Sequence, residues 1–101
     1  MKLGIVITGH EGAEPAVKML REAAARDHEL RCFLTDSGVR AMTEPAMREM
    51  VSNEQVTLAV CEHSMDSFEQ PVPEDIVGPV VVGGQYQDAE LAHWCDRVVV
   101  F

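Results

Sequence analysis

Five short apolar runs recur along the chain, and more polar, helix-periodic stretches separate them. Residues 2–8 are nearly all apolar and alternate poorly, as expected of a strand covered on both faces. Residues 30–34, 55–61, 80–82 and 97–101 read as the second to fifth strands. Between the first two, Val17, Leu20 and Ala24 make one helical stripe with Ala13 and Ala16 beside it. Glu14-Pro15 opens that helix, because a proline in the first turn lacks only an N–H that needs no partner there. Glu14 and Lys18 stand at i,i+4 on its polar side, and it should end near Arg26 or Asp27. Thr35-Asp36-Ser37-Gly38 is a turn, and Val39, Ala41 and Met42 follow as a short helical turn. Thr43 is then expected to cap a second helix, with Pro45 in its first turn and Met47, Met50 and Val51 as its buried side. Residues 62–78 hold Pro71, Pro73 and Gly78 and read as a long loop with room for one helical turn, a kind of segment that is often functional. Gly83-Gly84 ends the fourth strand. Ala89, Leu91, Ala92 and Cys95 belong to a short last helix around residues 88–94.

This alternation of strands and helices predicts an α/β fold: a three-layer α/β/α domain with a mostly parallel five-stranded sheet and right-handed connections. The 101 residues make one domain, with no repeats, linkers or low-complexity tracts. The charge narrows the partners. Eight basic against 17 acidic residues give a formal net charge of −9, which argues against direct contact with nucleic acid or an anionic membrane. No run is long enough to span a bilayer. The amino end has too short an apolar run for a signal peptide, so a cytoplasmic location is expected.

Candidate chemistry is sparse. Gly9-His10-Glu11-Gly12 lacks the spacing of a dinucleotide or phosphate loop, and Glu11 would repel a phosphate. Ser67 stands where a phosphatase-type Cys-x5-Arg loop would place its arginine. His10, His28, His63 and His93 are dispersed. A metal site would have to gather His10, Cys61 and His63 in space, and no i,i+4 pair supports one. No metal and no cofactor is expected. The three cysteines, Cys32, Cys61 and Cys95, include no CxxC pair and read as free thiols of a reducing compartment.

Their contexts differ. Cys32 lies inside the second strand and reads as a small buried hydrophobe. Cys95 follows Trp94 near a helix end and reads as packed or half exposed. Cys61 ends the third strand, and the carboxyl ends of strands form the ligand-binding edge of an open parallel sheet. The first amides of a following turn would lower its pKa, and His63 would supply positive charge or a proton, whereas Glu62 and Asp66 act the other way. Local chemistry alone leaves Cys61 open between a reactive thiol and a packed one.

A resemblance adds to this. Residues 28–33 followed by Asp36-Ser37-Gly38-Val39 resemble the second strand and "DGV" turn of the DsrE/DsrF-like sulfur-relay family, which includes TusD-type carriers. Thr57-Leu58-Ala59-Val60-Cys61 resembles the strand that delivers that family's sulfur-carrying cysteine. Asp96-Arg97-Val98-Val99-Val100-Phe101 resembles its closing "ADRLVVF" strand. The resemblance implies a compact domain that forms trimers or hexamers, with Cys61 accepting sulfane sulfur as a persulfide and passing it to a partner thiol. It implies protein donors and acceptors, and an acidic face of this kind suits a basic or mostly apolar partner. In this role His63 would orient or protonate a sulfur and Ser64 would hydrogen-bond one. One departure stands out: better-known carriers place a cation after the cysteine, and Glu62-His63-Ser64-Met65-Asp66-Ser67 contains none. Two other readings stand beside the carrier. One is a non-catalytic oligomeric subunit or binding module with Cys61 packed. The other is a small-ligand or nucleotide-binding α/β domain.

Overall fold

β1 (Lys2–Ile7) is an inner strand buried on both faces: Leu3, Ile5 and Ile7 point to one side, Gly4 and Val6 to the other. The computed structural model describes all 101 residues. The elements follow as α1 (Ala13–Ala25), β2 (Glu29–Leu34), α2 (Pro45–Ser52), β3 (Thr57–Cys61), α3 (Glu62–Ser67), β4 (Val81–Gly83), α4 (Gln85–Trp94) and β5 (Arg97–Val100). Short 3-10 stretches lie at His10–Gly12, Asp36–Thr43 and Glu74–Ile76. All four strand pairings are parallel, in the order β4-β3-β2-β1-β5. The chain steps outward from β1 to β4, and then α4 carries it back across the sheet to β5. With one handedness of connection, that reversal moves α4 to the opposite face from α1 and α2.

The two faces are unequal. The larger core joins Leu3, Ile5 and Ile7 to Val17 and Leu20 of α1 and to Met47, Met50 and Val51 of α2. Completely burying one such side chain contributes about 1.5–3 kcal/mol, so this layer supplies most of the fold's apolar stabilisation. The smaller core is Val6, Phe33, Cys61 and Leu91, with Ala59 and Cys95 against it. Leu91 is the one buried residue of α4. It seats against β1 because position 4 is glycine: a Cβ there would lie 2.5 Å from Leu91 Cδ2. No helix is long and apolar enough to cross a membrane.

Several local expectations change. Thr43 does not cap α2; it ends the preceding 3-10 stretch, where its hydroxyl donates to the Arg40 carbonyl at 2.7 Å. Glu44 holds the cap position without a side-chain bond, and Pro45 opens the helix. On α1 the buried stripe runs through Ala23 rather than Ala24, while the Glu14–Lys18 pair forms at 3.5 Å. The helical turn allowed for within residues 62–78 is α3, about one and a half turns that follow Cys61 directly, with Met65 and then Phe68 packed on the larger core. The last helix begins at Gln85, three residues before its expected start at residue 88.

Candidate active site

The site grows from three strand exits at the carboxyl edge of the sheet. Cys61, last residue of β3, pairs with Gly83 of β4. Val60 pairs with Leu34 of β2, so Thr35 stands beside Cys61 on its other flank. The reversal in strand order falls between β1 and β5, so the thiol lies two strands away from that point.

Cys61 is also the N-terminal cap residue of α3, and its backbone is still extended at φ −78° and ψ 116°. That change from strand to helix aims the first amides of α3 back at the sulfur. The residue is only 6% exposed. Burial is the largest single influence on the thiol and pushes its pKa up. Against it act the Ser64 hydroxyl, the backbone N–H groups of Ser64 and His63, and the Thr35 hydroxyl, and together they bring the pKa below the ordinary thiol value. Four dipoles thus outweigh the loss of water around the sulfur. No neighbouring charge of either sign takes part, so neither Glu62 nor Asp66 raises the thiol and no cation lowers it.

The turn after β2 orients these donors. Asp36 adopts φ 51°, a left-handed conformation that aspartate tolerates better than most residues. Its N–H thereby donates to Ser64 Oγ at 2.8 Å. Ser64 is 4% exposed and lies 3.4 Å from Thr35 Oγ1. Gln85 Nε2 donates to that same Thr35 oxygen at 3.4 Å. The turn is held from behind: the Thr35 N–H donates to the Ile7 carbonyl at 3.0 Å, and the His10 N–H donates to Ser37 Oγ at 2.9 Å.

Of the three site residues expected from sequence, Cys61 and Ser64 stand together. His63 contributes its backbone amide, while its side chain is exposed. His10, Cys61 and His63 are not gathered into a metal-binding group. The other cysteines lie elsewhere: Cys32 is buried in the larger core, where burial pushes its pKa far up, and Cys95 is half-buried beside α4. Sequence reading missed Thr35, Asp36 and Gln85. The turn Asp36-Ser37-Gly38 was visible as a motif, but nothing local joins it to Ser64, which lies 28 residues on. Gln85 carries no apolar signal of its helix.

What this arrangement can do is favour a thiolate at the strand exit, through amides and hydroxyls rather than a cation. Among curated proteins, no sequence matches the chain. Among solved structures, the crystal structure of the ychN protein from E. coli superposes with a TM-score of 0.69 over 100% of both chains at 21% identity, a likeness of fold. The family model of the DsrE/DsrF-like family matches residues 1–101, and the chain therefore belongs to that family.

Proposed function

We propose that this protein is a sulfur carrier that accepts sulfane sulfur on Cys61 and hands it to a partner thiol. Membership of the DsrE/DsrF-like family supports a sulfur-relay role in general. The observation that carries the finer reading is the placement of Cys61 at a strand exit and the start of α3, flanked by Thr35 and Ser64, where hydroxyls and amides hold its pKa below the ordinary thiol value and favour the thiolate, the nucleophilic form.

In the first step the Cys61 thiolate attacks the outer sulfur of a donor persulfide, R–S–SH. A new S–S bond forms to Cys61, the donor's S–S bond breaks, and its electron pair leaves on R–S⁻. The product is Cys61–S–SH, with no net oxidation. An acceptor thiolate then attacks the terminal sulfur and releases Cys61 as thiolate. The Ser64 and Thr35 hydroxyls donate to the negative sulfur at both ends of this exchange, and the His63 amide does the same. The exposed side chain of His63 is free to give a proton to an incoming or departing sulfur. No cofactor takes part.

Donor and acceptor are proteins on this reading, and the carrier works in the cytoplasm as a homo-oligomer, a trimer or hexamer. Exposed Val81, Tyr86, Val98 and Val100 support a protein-facing surface around α4 and β5. Light scattering on the purified protein reads the assembly.

Intact-mass spectrometry after incubation with polysulfide tests the chemistry. Wild type should gain multiples of one sulfur mass, and Cys61→Ala should gain none. Equal gain by both overturns the reading. The burial of Cys61 favours one alternative, a non-catalytic oligomeric subunit whose thiol is packed. Native alkylation separates the two: a Cys61 inert until denaturation supports the packed subunit.

A further inference from the structure

Gln85 occupies a position that strand order alone makes unusual. It lies two residues past Gly83, at the exit of β4, and it starts α4. Its Nε2 reaches Thr35 at the exit of β2. The strand between those two exits is β3, whose last residue is Cys61. A side chain running from one exit to the other has to pass the end of β3. It does so on the face that carries Cys61, because α4 and Cys61 share the smaller core.

We propose that Gln85 is a positioning residue for Cys61, holding the Thr35 hydroxyl so that its single proton is directed at the sulfur. The inference rests on Cys61 being the reacting thiol. A hydroxyl has one proton and two acceptor lone pairs. The Gln85 amide takes one lone pair of Thr35 Oγ1. The proton then has two destinations, Ser64 Oγ or the sulfur. Ser64 Oγ already accepts the Asp36 N–H at 2.8 Å. Each hydroxyl thus has one fixed donor behind it, Asp36 behind Ser64 and Gln85 behind Thr35. When the sulfur is negative, both protons turn towards it, and each donor in the chain strengthens the next. Without Gln85, Thr35 can satisfy itself on water or on Ser64, and the sulfur loses that donor.

The test reads the pH dependence of Cys61 alkylation by iodoacetamide, resolved by peptide mass from Cys32 and Cys95. The titratable groups on the surrounding segments are Asp36 and Arg40 after β2, Glu62, His63 and Asp66 on α3, and Tyr86, Asp88, Glu90 and His93 on α4. They are unchanged in every neutral variant, so differences between profiles belong to the substituted residue. Gln85→Ala should raise the midpoint by about half a pH unit, roughly a threefold loss of thiolate at neutral pH. Gln85→Glu should raise it further, because a carboxylate accepts the Thr35 proton and turns it away from the sulfur. In a Thr35→Val background Gln85→Ala should add nothing, while Thr35→Ser, which keeps the hydroxyl, should restore the dependence on Gln85. A Gln85→Ala midpoint equal to wild type overturns the proposal, and so does a shift of full size in the Thr35→Val background. Sulfur loading is measured separately by intact mass. Its failure with unaltered midpoint shifts removes the carrier reading and leaves the Gln85–Thr35–Cys61 coupling standing.

Discussion

The backbone N–H of Asp36 donates to the hydroxyl of Ser64 at 2.8 Å, from a residue twisted to φ 51°. This bond joins the turn after β2 to the first turn of α3 and sets the direction of the Ser64 proton. It makes a buried serine the acceptor for the turn, and the same hydroxyl acts to lower the pKa of the Cys61 thiol.

Ser64→Ala separates those roles. The Asp36 N–H loses its acceptor, which costs about 1–3 kcal/mol of stability where water cannot replace it. Urea unfolding should show this as a lower midpoint with an unchanged slope. The sulfur loses the donor that lowers its pKa most, so Cys61 should also alkylate more slowly at neutral pH. Lost stability with undiminished alkylation would assign Ser64 to the turn alone.

Two glycines should respond very differently to the same added methyl. At Gly38 a Cβ would overlap the Ile7 carbonyl, backbone that already accepts the Thr35 N–H. Backbone cannot swing aside, so Gly38→Ala should cost about 3 kcal/mol, the upper end for overpacking. The turn that carries Asp36 has to move as well, and Cys61 alkylation should slow with it. At Gly4 the Cβ would meet the Leu91 side chain at 2.5 Å and Cys95 Sγ at 3.1 Å. Those are side-chain atoms of the single helix on that face and of the residue just after it, and they can yield, so Gly4→Ala should cost about 1 kcal/mol. Paired urea melts and alkylation rates check both. Equal losses at the two positions would mean that the turn gives way as easily as α4.

The same contrast shows what is legible in a single chain. Period and polarity reveal the five strands, the buried sides of α1 and α2, and Cys61 at a strand exit, because each is a property of neighbours in sequence. The lone buried residue of α4 leaves almost no period, which is why Gln85 is not marked as its start. The six residues of α3 are too few to show one. The Thr35–Ser64 and Thr35–Gln85 bonds span 29 and 50 residues, and only the order β4-β3-β2 brings their ends together. The cation missing after Cys61 was legible as a departure. What replaces it, a set of amides and hydroxyls, was legible only in part, through the amides expected of a following turn.

The two buried thiols should leave opposite marks on stability as pH changes. Burial raises Cys32 far above the ordinary thiol pKa, near 8.5 in an unfolded chain. Below 8.5 both states hold the proton, and nothing is lost. Above it the unfolded chain releases the proton while the folded protein keeps it, so unfolding gains about 1.4 kcal/mol for each further pH unit. Cys61 is lowered instead. Between its folded value and 8.5 the folded state has released its proton and the unfolded state has not, so stability rises with pH and then levels off. The thiol contribution should therefore peak near pH 8.5, with Cys61 shaping the rise and Cys32 the fall. Urea unfolding at pH 7 and 9.5 checks the second limb. The loss between these two pH values should be about 1.4 kcal/mol smaller in Cys32→Ala than in wild type, even though the variant starts lower because of its cavity. Groups that titrate in both proteins cancel in that difference. An identical pH loss in the two proteins would mean that Cys32 ionises as readily in the folded core as in the open chain.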